Sequence, residues 1–494
     1  MSLHNRWLVL AVISSALLLI VIDMTVLYTA LPRITADLSA TPSEKLWIVN
    51  AYALTMAGLL PASGALGDRF GPRVMFLGGL LVFTAASLVA ALAPTAEVLI
   101  AGRVLLAFGA AAMMPATFAI LRHTFDDPAE RNLAIGIWAA VASGGAAFGP
   151  VLGGVLLEFF WWGSVFLVNV PIGLAGVVLA RRLIAARPGG AGHPFSLLGS
   201  LQIMIGLVAV TVAIKELGKP APSLPLALGG VVLGGAFIAL FIRGQLRARQ
   251  PMLDLRMFAN PAFSGAVLAA LFSSAALTGL SLAMTQRFQL VMGLSPLQAG
   301  LVLAPLPLAS FVAGPVAGRL LARGDCTRFM IAGLGLIALG LGVYMAGLHS
   351  WPVQIAAMAV IGAGIGTAMT SASAAIMQSA TDDTAGTAAS VEEVSYELGG
   401  ALGVTIFGSI LAAVYTRSFT APEIPAQAGQ MGQAAQGIDQ ALSLAARMTS
   451  QASARLVEAA GQAFDLSFMA VLVTACALLA MAAGLVAVMN RRRG

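Results

Sequence analysis

Apolar residues run along this chain in long blocks, not in the short alternations of strands or the narrow stripes of surface helices. A helix that crosses the hydrocarbon core of a bilayer needs roughly 20 mostly apolar residues. Fourteen such blocks are read here, at 7–31, 46–66, 73–93, 97–120, 133–157, 161–180, 197–214, 224–242, 262–284, 297–318, 328–348, 353–378, 388–416 and 465–489. Most connections are short. The exception is 417–464, rich in Ala, Gln and Ser, where Leu442, Leu444, Met448, Leu456 and Val457 have the spacing of an amphipathic helix or hairpin. A partly helical cap over the outer end is expected there. The first block continues to Leu31 without a small-residue cleavage site, so it reads as a span and not as a signal peptide.

Composition narrows the class. Of the 494 residues, 59% are hydrophobic and 10% charged. Soluble proteins carry about 25% charged residues, so a soluble enzyme is excluded, and so is a disordered chain. The net charge of +6 does not call for nucleic acid, because the basic residues sit in short connections, where they report membrane orientation. With the N-terminus inside, the inner loops and tails hold 18 of them: Arg6, Arg69, Arg73, Arg122, Arg131, Arg181, Arg182, Arg187, Arg243, Arg247, Arg249, Arg256, Arg319, Arg323, Arg328 and Arg491 to Arg493. The short outer loops hold 5, Arg33, Lys45, Lys215, Lys219 and Arg287, and the long outer loop adds Arg417, Arg447 and Arg455. Both termini are therefore expected in the cytoplasm. Gly64, Arg69 and Arg73 recur 250 positions later as Gly314, Arg319 and Arg323, a faint repeat of the kind found in duplicated transporters. A six, two, six arrangement fits that spacing, with a first bundle over 1–182, two additional helices over 183–256 and a second bundle over 257–494.

Catalytic chemistry has no foothold. His4, His123, His193 and His349 are dispersed without metal-ligand spacing. No P-loop is present, so ATP hydrolysis is not expected. Cys326 and Cys476 imply no disulfide framework. An enzyme, a cofactor and a bound metal are not expected.

Ionisable residues inside a membrane are costly and tend to be functional. Five lie in the predicted spans: Asp23, Arg103, Glu392, Glu393 and Glu397. Asp23 lies near the midplane of the first span, where it suits proton or cation binding or a fixed ion pair with Arg103. Glu393 and Glu397, four apart, share one face, and Glu392 is turned about 100° away. Several carboxylates in a low dielectric cannot all ionise cheaply, so the cluster suits a cation and repels an anion. The competing reading starts the span later and leaves the three glutamates cytoplasmic beside Asp382 and Asp383. Arg103 is expected to face a cavity or an acid, or to snorkel from the outer end of its span. Tyr28, Trp47, Tyr52, Trp138 and Tyr396 offer faces on which a flat cation could stack, or serve as packing and interface anchors.

Two glycine patterns suggest moving parts. Gly145, Gly149, Gly153 and Gly154 flank Pro150 in the fifth span, where small residues permit close helix approach and proline bends the helix. Gly64, Gly67, Asp68, Arg69, Gly71 and Arg73 read as a tight inner loop, with Asp68 as a breakable latch.

Together these motifs resemble the major facilitator superfamily, and within it the fourteen-span drug:proton antiporter-2 family of quaternary-ammonium and methyl viologen exporters. The resemblance covers essentially the whole chain. It rests on Ile22 to Pro32 in the first span, Gly64 to Arg73, Arg103 to Gly109, Gly145 to Gly154, and Phe166 to Gly173. Pro72 stands where the family has a basic residue, and Leu106 and Ala107 depart from its usual Gln-Gly. The resemblance implies an all-α major facilitator fold in the bacterial inner membrane, without a cofactor, exchanging protons for lipophilic cationic drugs by alternating access. It assigns proton coupling to Asp23 and Arg103, and cation recognition to Glu392, Glu393 and Glu397. Lipid and small-molecule partners are expected, and a monomer. An exporter of amphipathic anions or fatty acids working with a periplasmic adaptor, and an uncoupled channel or scaffold, remain the alternatives.

Overall fold

The computed structural model describes residues 3–125, 127–186, 196–217, 222–248, 251, 253, 255–321, 324–348, 350–379, 385–422 and 428–491. Arg187, His193, Lys219, Arg249, Arg323, His349, Asp382, Asp383, Arg492 and Arg493 lie outside them, as does the Asp68 side chain. The described residues form helices joined by turns and short irregular segments and contain no strand.

Five long helices come first: α1 (Leu3–Asp37), α2 (Pro42–Phe70), α3 (Pro72–Ala91), α4 (Ala96–Thr124) and α5 (Pro128–Phe159). A short α6 (Ser164–Leu167) and α7 (Asn169–Leu183) follow, then α8 (Leu197–Leu217) and α9 (Leu224–Arg247). The remainder comprises α10 (Pro261–Gln286), α11 (Pro296–Leu303), α12 (Pro305–Leu321), α13 (Cys326–Ala346), α14 (Trp351–Gln378), α15 (Ala385–Ser418), α16 (Ala428–Ala434), α17 (Ile438–Ala445) and α18 (Ser450–Arg491). Twelve helical stretches are long and apolar enough to cross a membrane, counted over described residues. The chain is a multi-pass membrane protein. Helices α2 and α5 run through the predicted spans 46–66 and 133–157.

Local chemistry starts the helices where the apolar blocks begin. Thr41 and Glu44 form a capping box ahead of Pro42, and Ser295 and Gln298 form another ahead of Pro296. Each box satisfies two orphan N–H groups, and proline at the first position loses nothing because its N–H has no intrahelical partner. Two predicted spans are each broken into two helices. Span 161–180 divides at Val168, and span 297–318 divides at Ala304, just before Pro305. A short π-helical turn, Arg287–Val291, extends α10.

The side chains sort into two main cores. One gathers residues of α1 to α7 together with Leu282 of α10 and Val404 of α15, the other residues of α9 to α18. Apolar side chains such as Val232, Val74 and Phe148 point outward, as suits helices solvated by lipid.

Four expectations need correction. The Gly64–Arg73 stretch is not a loop: α2 continues to Phe70, and the turn is Gly71 alone, at φ +87°, a conformation that favours glycine. A Cβ added to Gly64 or Gly67 would meet no atom within 4 Å among the described residues, so the expected close packing is not described there. The last helix starts at Ser450, fifteen residues before the predicted 465. Arg287 is no loop residue. It is buried, its Nε donates to Asp465 at 2.7 Å, and its guanidinium sits 5.4 Å from the Phe468 ring centroid.

The long connection forms the expected partly helical cap. It consists of α16, α17 and the start of α18, over the end where α1 finishes and α2 begins. Ile438, Ala441 and Ala445 bury one face of α17, and the Tyr415 hydroxyl donates to the Ala434 carbonyl at 3.2 Å. Lys45 Nζ donates to Asp439 Oδ2 at 2.6 Å, which ties α2 to the cap.

Candidate functional site

The site begins with an ion pair in the first core. Asp23 lies on α1 and Arg103 on α4, eighty positions apart, and Arg103 Nη1 donates to Asp23 Oδ2. Both are buried, at 2% and 1% exposure, which removes the snorkelling alternative for Arg103. The guanidinium also donates through Nε to the Ile48 carbonyl at 3.2 Å. Tyr52 covers it, with its ring centroid 4.5 Å from the guanidinium carbon. This four-part arrangement explains how an arginine survives at that depth. Its planar fork is shared by a carboxylate, a carbonyl and a π-face. Asp23 Oδ1 is buried without a hydrogen-bond partner. Asn169, at the start of α7, lies beside the carboxyl and donates its amide to Ser87 Oγ at 3.3 Å.

Across from the pair stands α15, in the second core. All three of its glutamates lie within the helix, and Glu397 is buried at 5% exposure with Oε2 unpartnered. Glu392 accepts a hydrogen bond from the Tyr396 hydroxyl at 3.0 Å, while the Tyr396 carbonyl accepts one from Ser274 at 2.6 Å. Among the described residues, no ion pair includes Glu392, Glu393 or Glu397. The Arg103 charge nevertheless reaches Glu397 across the boundary between the cores.

The aromatic candidates divide. Tyr28 stands beside Thr278 of α10 and within electrostatic reach of Asp23, Arg103 and Glu397. Tyr52 is near the same charges and Glu393, but Arg103 occupies one of its faces. Tyr396 acts as a hydrogen-bond donor to the cluster. Trp138 belongs to the first core and packs edge-on against Phe118 at 6.1 Å, and no described contact brings it to the carboxylates. Trp47 carries the Lys215 ammonium 4.3 Å from its ring centroid.

The α5 motif does what its spacing suggests. A Cβ added to Gly145, Gly149 or Gly153 would meet α1, at 2.9 Å from Leu18, 1.8 Å from Thr25 Oγ1 and 3.1 Å from Val26. Thr25 is two residues from Asp23, so this face of α5 positions the helix that carries the acid. Gly154, turned about 100° from Gly153, would meet the Leu297 backbone of α11 at 2.5 Å, and Gly300 would meet the Pro150 carbonyl at 2.4 Å. The motif thus packs on both halves at once. In the other glycine pattern, Arg73 donates to the Arg181 carbonyl at 2.6 Å and Arg69 lies over the Phe70 ring at 5.7 Å.

Sequence reasoning missed the polar contacts that cross between halves. Asn50 of α2 donates to Thr405 of α15 at 2.6 Å, Gln289 donates to the Thr29 carbonyl at 2.8 Å, and Lys45 pairs with Asp439. A lone amide in an apolar run, as at Asn50, was the one available signal.

The Major Facilitator Superfamily profile matches residues 13–404. The methyl viologen resistance protein SmvA of Salmonella typhimurium is 38% identical over 97% of each chain. The multidrug efflux pump LfrA of Mycolicibacterium smegmatis is 38% identical over 99% of this chain and 97% of its own. Among solved structures, a bacterial homolog of the human lysosomal transporter Spinster matches with a TM-score of 0.69, at 18% identity over 99% of each chain.

Proposed function

The chain belongs to the Major Facilitator Superfamily and is a transporter, not an enzyme, and from that premise we propose that it exports lipophilic cationic drugs in exchange for protons. The observation that carries the reading is the charge imbalance of the site. Glu392, Glu393 and Glu397 lie within two turns of α15 without an ion-pair partner among the described residues, while Arg103, the basic group that reaches Glu397, already holds Asp23. A hydrophobic cation completes such a site, and an anion is repelled by it. The efflux pumps and resistance proteins that share 38% of its sequence support drug export.

In this reading the cation binds the deprotonated α15 glutamates beside Tyr28 and Tyr396. Protons then take the same carboxyls and Asp23, the cation loses its counter-charge, and it leaves. Competition for one set of carboxyls couples the two flows. The α5 glycines and Pro150 serve the motion between inward and outward access, and the Asp68–Arg73 stretch serves as the inner latch. Fourteen spans in a six, two, six order, with α2 and α5 among them and both termini in the cytoplasm, complete the proposal. The unit is a monomer in the bacterial inner membrane, driven by the proton gradient without a cofactor.

The test is ethidium efflux in membrane vesicles, joined to substrate-induced proton release by the purified protein. Asp23→Asn and Glu393→Gln are each expected to abolish proton release and gradient-driven efflux. Undiminished coupled transport in both variants refutes the assignment. Proton release on adding amphipathic anions, with none on adding cations, would favour the anion exporter.

A further inference from the structure

The two halves meet along two helix seams. One pairs α5 with α11, where Gly154 and Gly300 bring backbones together. The other pairs α2 with α15, where Asn50 bonds Thr405 and a Cβ on Gly408 would meet Leu46 at 2.4 Å. The second seam takes in one of the two additional helices, α8. Ala53, Leu54 and Ala57 of α2, Leu207 of α8 and Ala401 of α15 form one small buried core. Ile203 and Val208 of α8 and Val394 and Leu398 of α15 close around it. Leu398 follows Glu397 directly, so α8 lies over the seam at the depth of the acidic cluster.

The two sides of α8 are held differently. Toward α2 the contact is close and directional. A Cβ on Gly58 would sit 2.8 Å from Met204 Cβ, Lys215 Nζ donates to the Ser43 carbonyl at 2.8 Å, and the same ammonium lies over Trp47. Toward α15 the core contributes Val394, Leu398 and Ala401, apolar side chains that impose no bonding direction. Behind α8 stands α9, joined through Gly206, Gly230 and Gly234; it exposes Leu224, Leu228 and Val232 at 62%, 62% and 70% and buries Phe241 in the second core. Of the two helices, α8 is the one fastened to the first half by directional contacts while it rests against the second.

We infer that α8 is a sliding seal, carried by α2, that closes the α2–α15 seam against lipid at the level of the α15 glutamates. Alternating access requires α2 and α15 to move apart at one end and together at the other, and an unsealed seam would open the acidic cluster to the bilayer. A seal that moves with one half and glides on the other keeps that side shut in both states. This role gives the two additional helices a task in the transport cycle, and it rests on the transport reading above.

Two cysteine pairs test it, in a background with Cys326 and Cys476 replaced by serine. Gly58→Cys with Met204→Cys joins α8 to α2. Leu207→Cys with Ala401→Cys, bridged by a short bifunctional thiol reagent, joins α8 to α15. Ethidium efflux is read before cross-linking, after it, and after reduction. The first cross-link is expected to leave efflux within about twofold, and the second to lower it at least about tenfold, reversibly, because it locks a moving contact. An arresting first cross-link, or a tolerated second one, overturns the seal. A background protein that exports no cation before cross-linking instead refutes the proposed function. The seal is then judged by spin-label distances at the opposite end, from Leu198 to Phe70 and from Leu198 to Ala389, at neutral and acid pH. The first distance is expected to stay constant and the second to shift, and the reverse pattern, or two constant distances, refutes the seal.

Discussion

Asp23 and Glu397 are both carboxyls buried to about the same degree, 2% and 5% exposed, yet their surroundings are opposite. Asp23 shares a guanidinium with a carbonyl and a tyrosine face. Each acid has one oxygen without a hydrogen-bond partner, but among the described residues no ion pair includes Glu397 or its two neighbours on α15. A buried charge that is paired is fixed in place, whereas one left unpaired is available for a ligand. The first half of the molecule thus holds a neutralised acid, and the second holds acids in need of a counter-ion.

The sharpest way to break this contrast is to unpair Asp23. Arg103→Met is expected to destabilise the detergent-solubilised protein by about 3–5 kcal/mol, since it strands a buried carboxylate. Asp23→Leu combined with Arg103→Met is expected to recover most of that loss in a thermal unfolding assay while leaving coupled efflux abolished. Stability that stays lost in the double variant would show that the pair is not what makes the single change costly.

A smaller effect is expected from disturbing the support of Asp23. Gly149→Ala places a methyl against Thr25, and overpacking of this kind costs about 1–3 kcal/mol. Adding Thr25→Ala should return most of it, measured as the midpoint of thermal unfolding. Equal midpoints for Gly149→Ala and the parent would mean that α1 and α5 pack less closely than described.

The α15 carboxyls should respond in function and hardly in stability. Glu393→Gln with Glu397→Gln is expected to weaken binding of a quaternary ammonium about tenfold, equivalent to roughly 1.4 kcal/mol. Only the deprotonated carboxylates attract a cation, so affinity in the parent should fall as pH falls, and this dependence should flatten in the double variant. Titration of ligand binding at several pH values, on purified protein, reads both. An unchanged slope would place the proton-sensitive site elsewhere.

A further change is expected where an ion pair ties α2 to the cap. Lys45→Gln should cost about 1–3 kcal/mol, because the pair is mostly buried, at 8% and 13% side-chain exposure, and the change leaves a buried acceptor without its charged donor. The swapped pair Lys45→Asp with Asp439→Lys should restore parental stability, and failure to do so would show that Asp439 is held by its helix and not by Lys45.

Much of the fold was legible because lipid imposes a length on every spanning helix, so the apolar blocks alone located the long helices, though α18 starts fifteen residues before its block. What was not legible depends on details that hydropathy does not carry. The stretch before Gly71 reads as a loop because Asp68 and Arg69 are charged, yet helical hydrogen bonding continues beneath those side chains to Phe70. The breaks at Val168 and Ala304 lie inside apolar blocks, where composition does not change. At the site, the acids and Arg103 stood out because charge is rare inside a membrane. Arg287 was misplaced for the complementary reason. Its partner Asp465 lies 178 positions away, and a loop-edge arginine looks the same in sequence whether paired or solvated. Asn50 and Thr405, uncharged and 355 positions apart, gave almost no signal.

The 42 residues of α18 make a rod of about 63 Å at a rise of roughly 1.5 Å per residue. That is about twice the roughly 30 Å thickness of the hydrocarbon layer, so the first turns from Ser450 stand clear of it as the continuation of a spanning helix. An antibody fragment clamped on Arg455, Val457 and Glu458 would inherit the orientation of the whole bundle. For a particle otherwise hidden in a detergent belt, that rigid mast is a ready alignment mark for imaging.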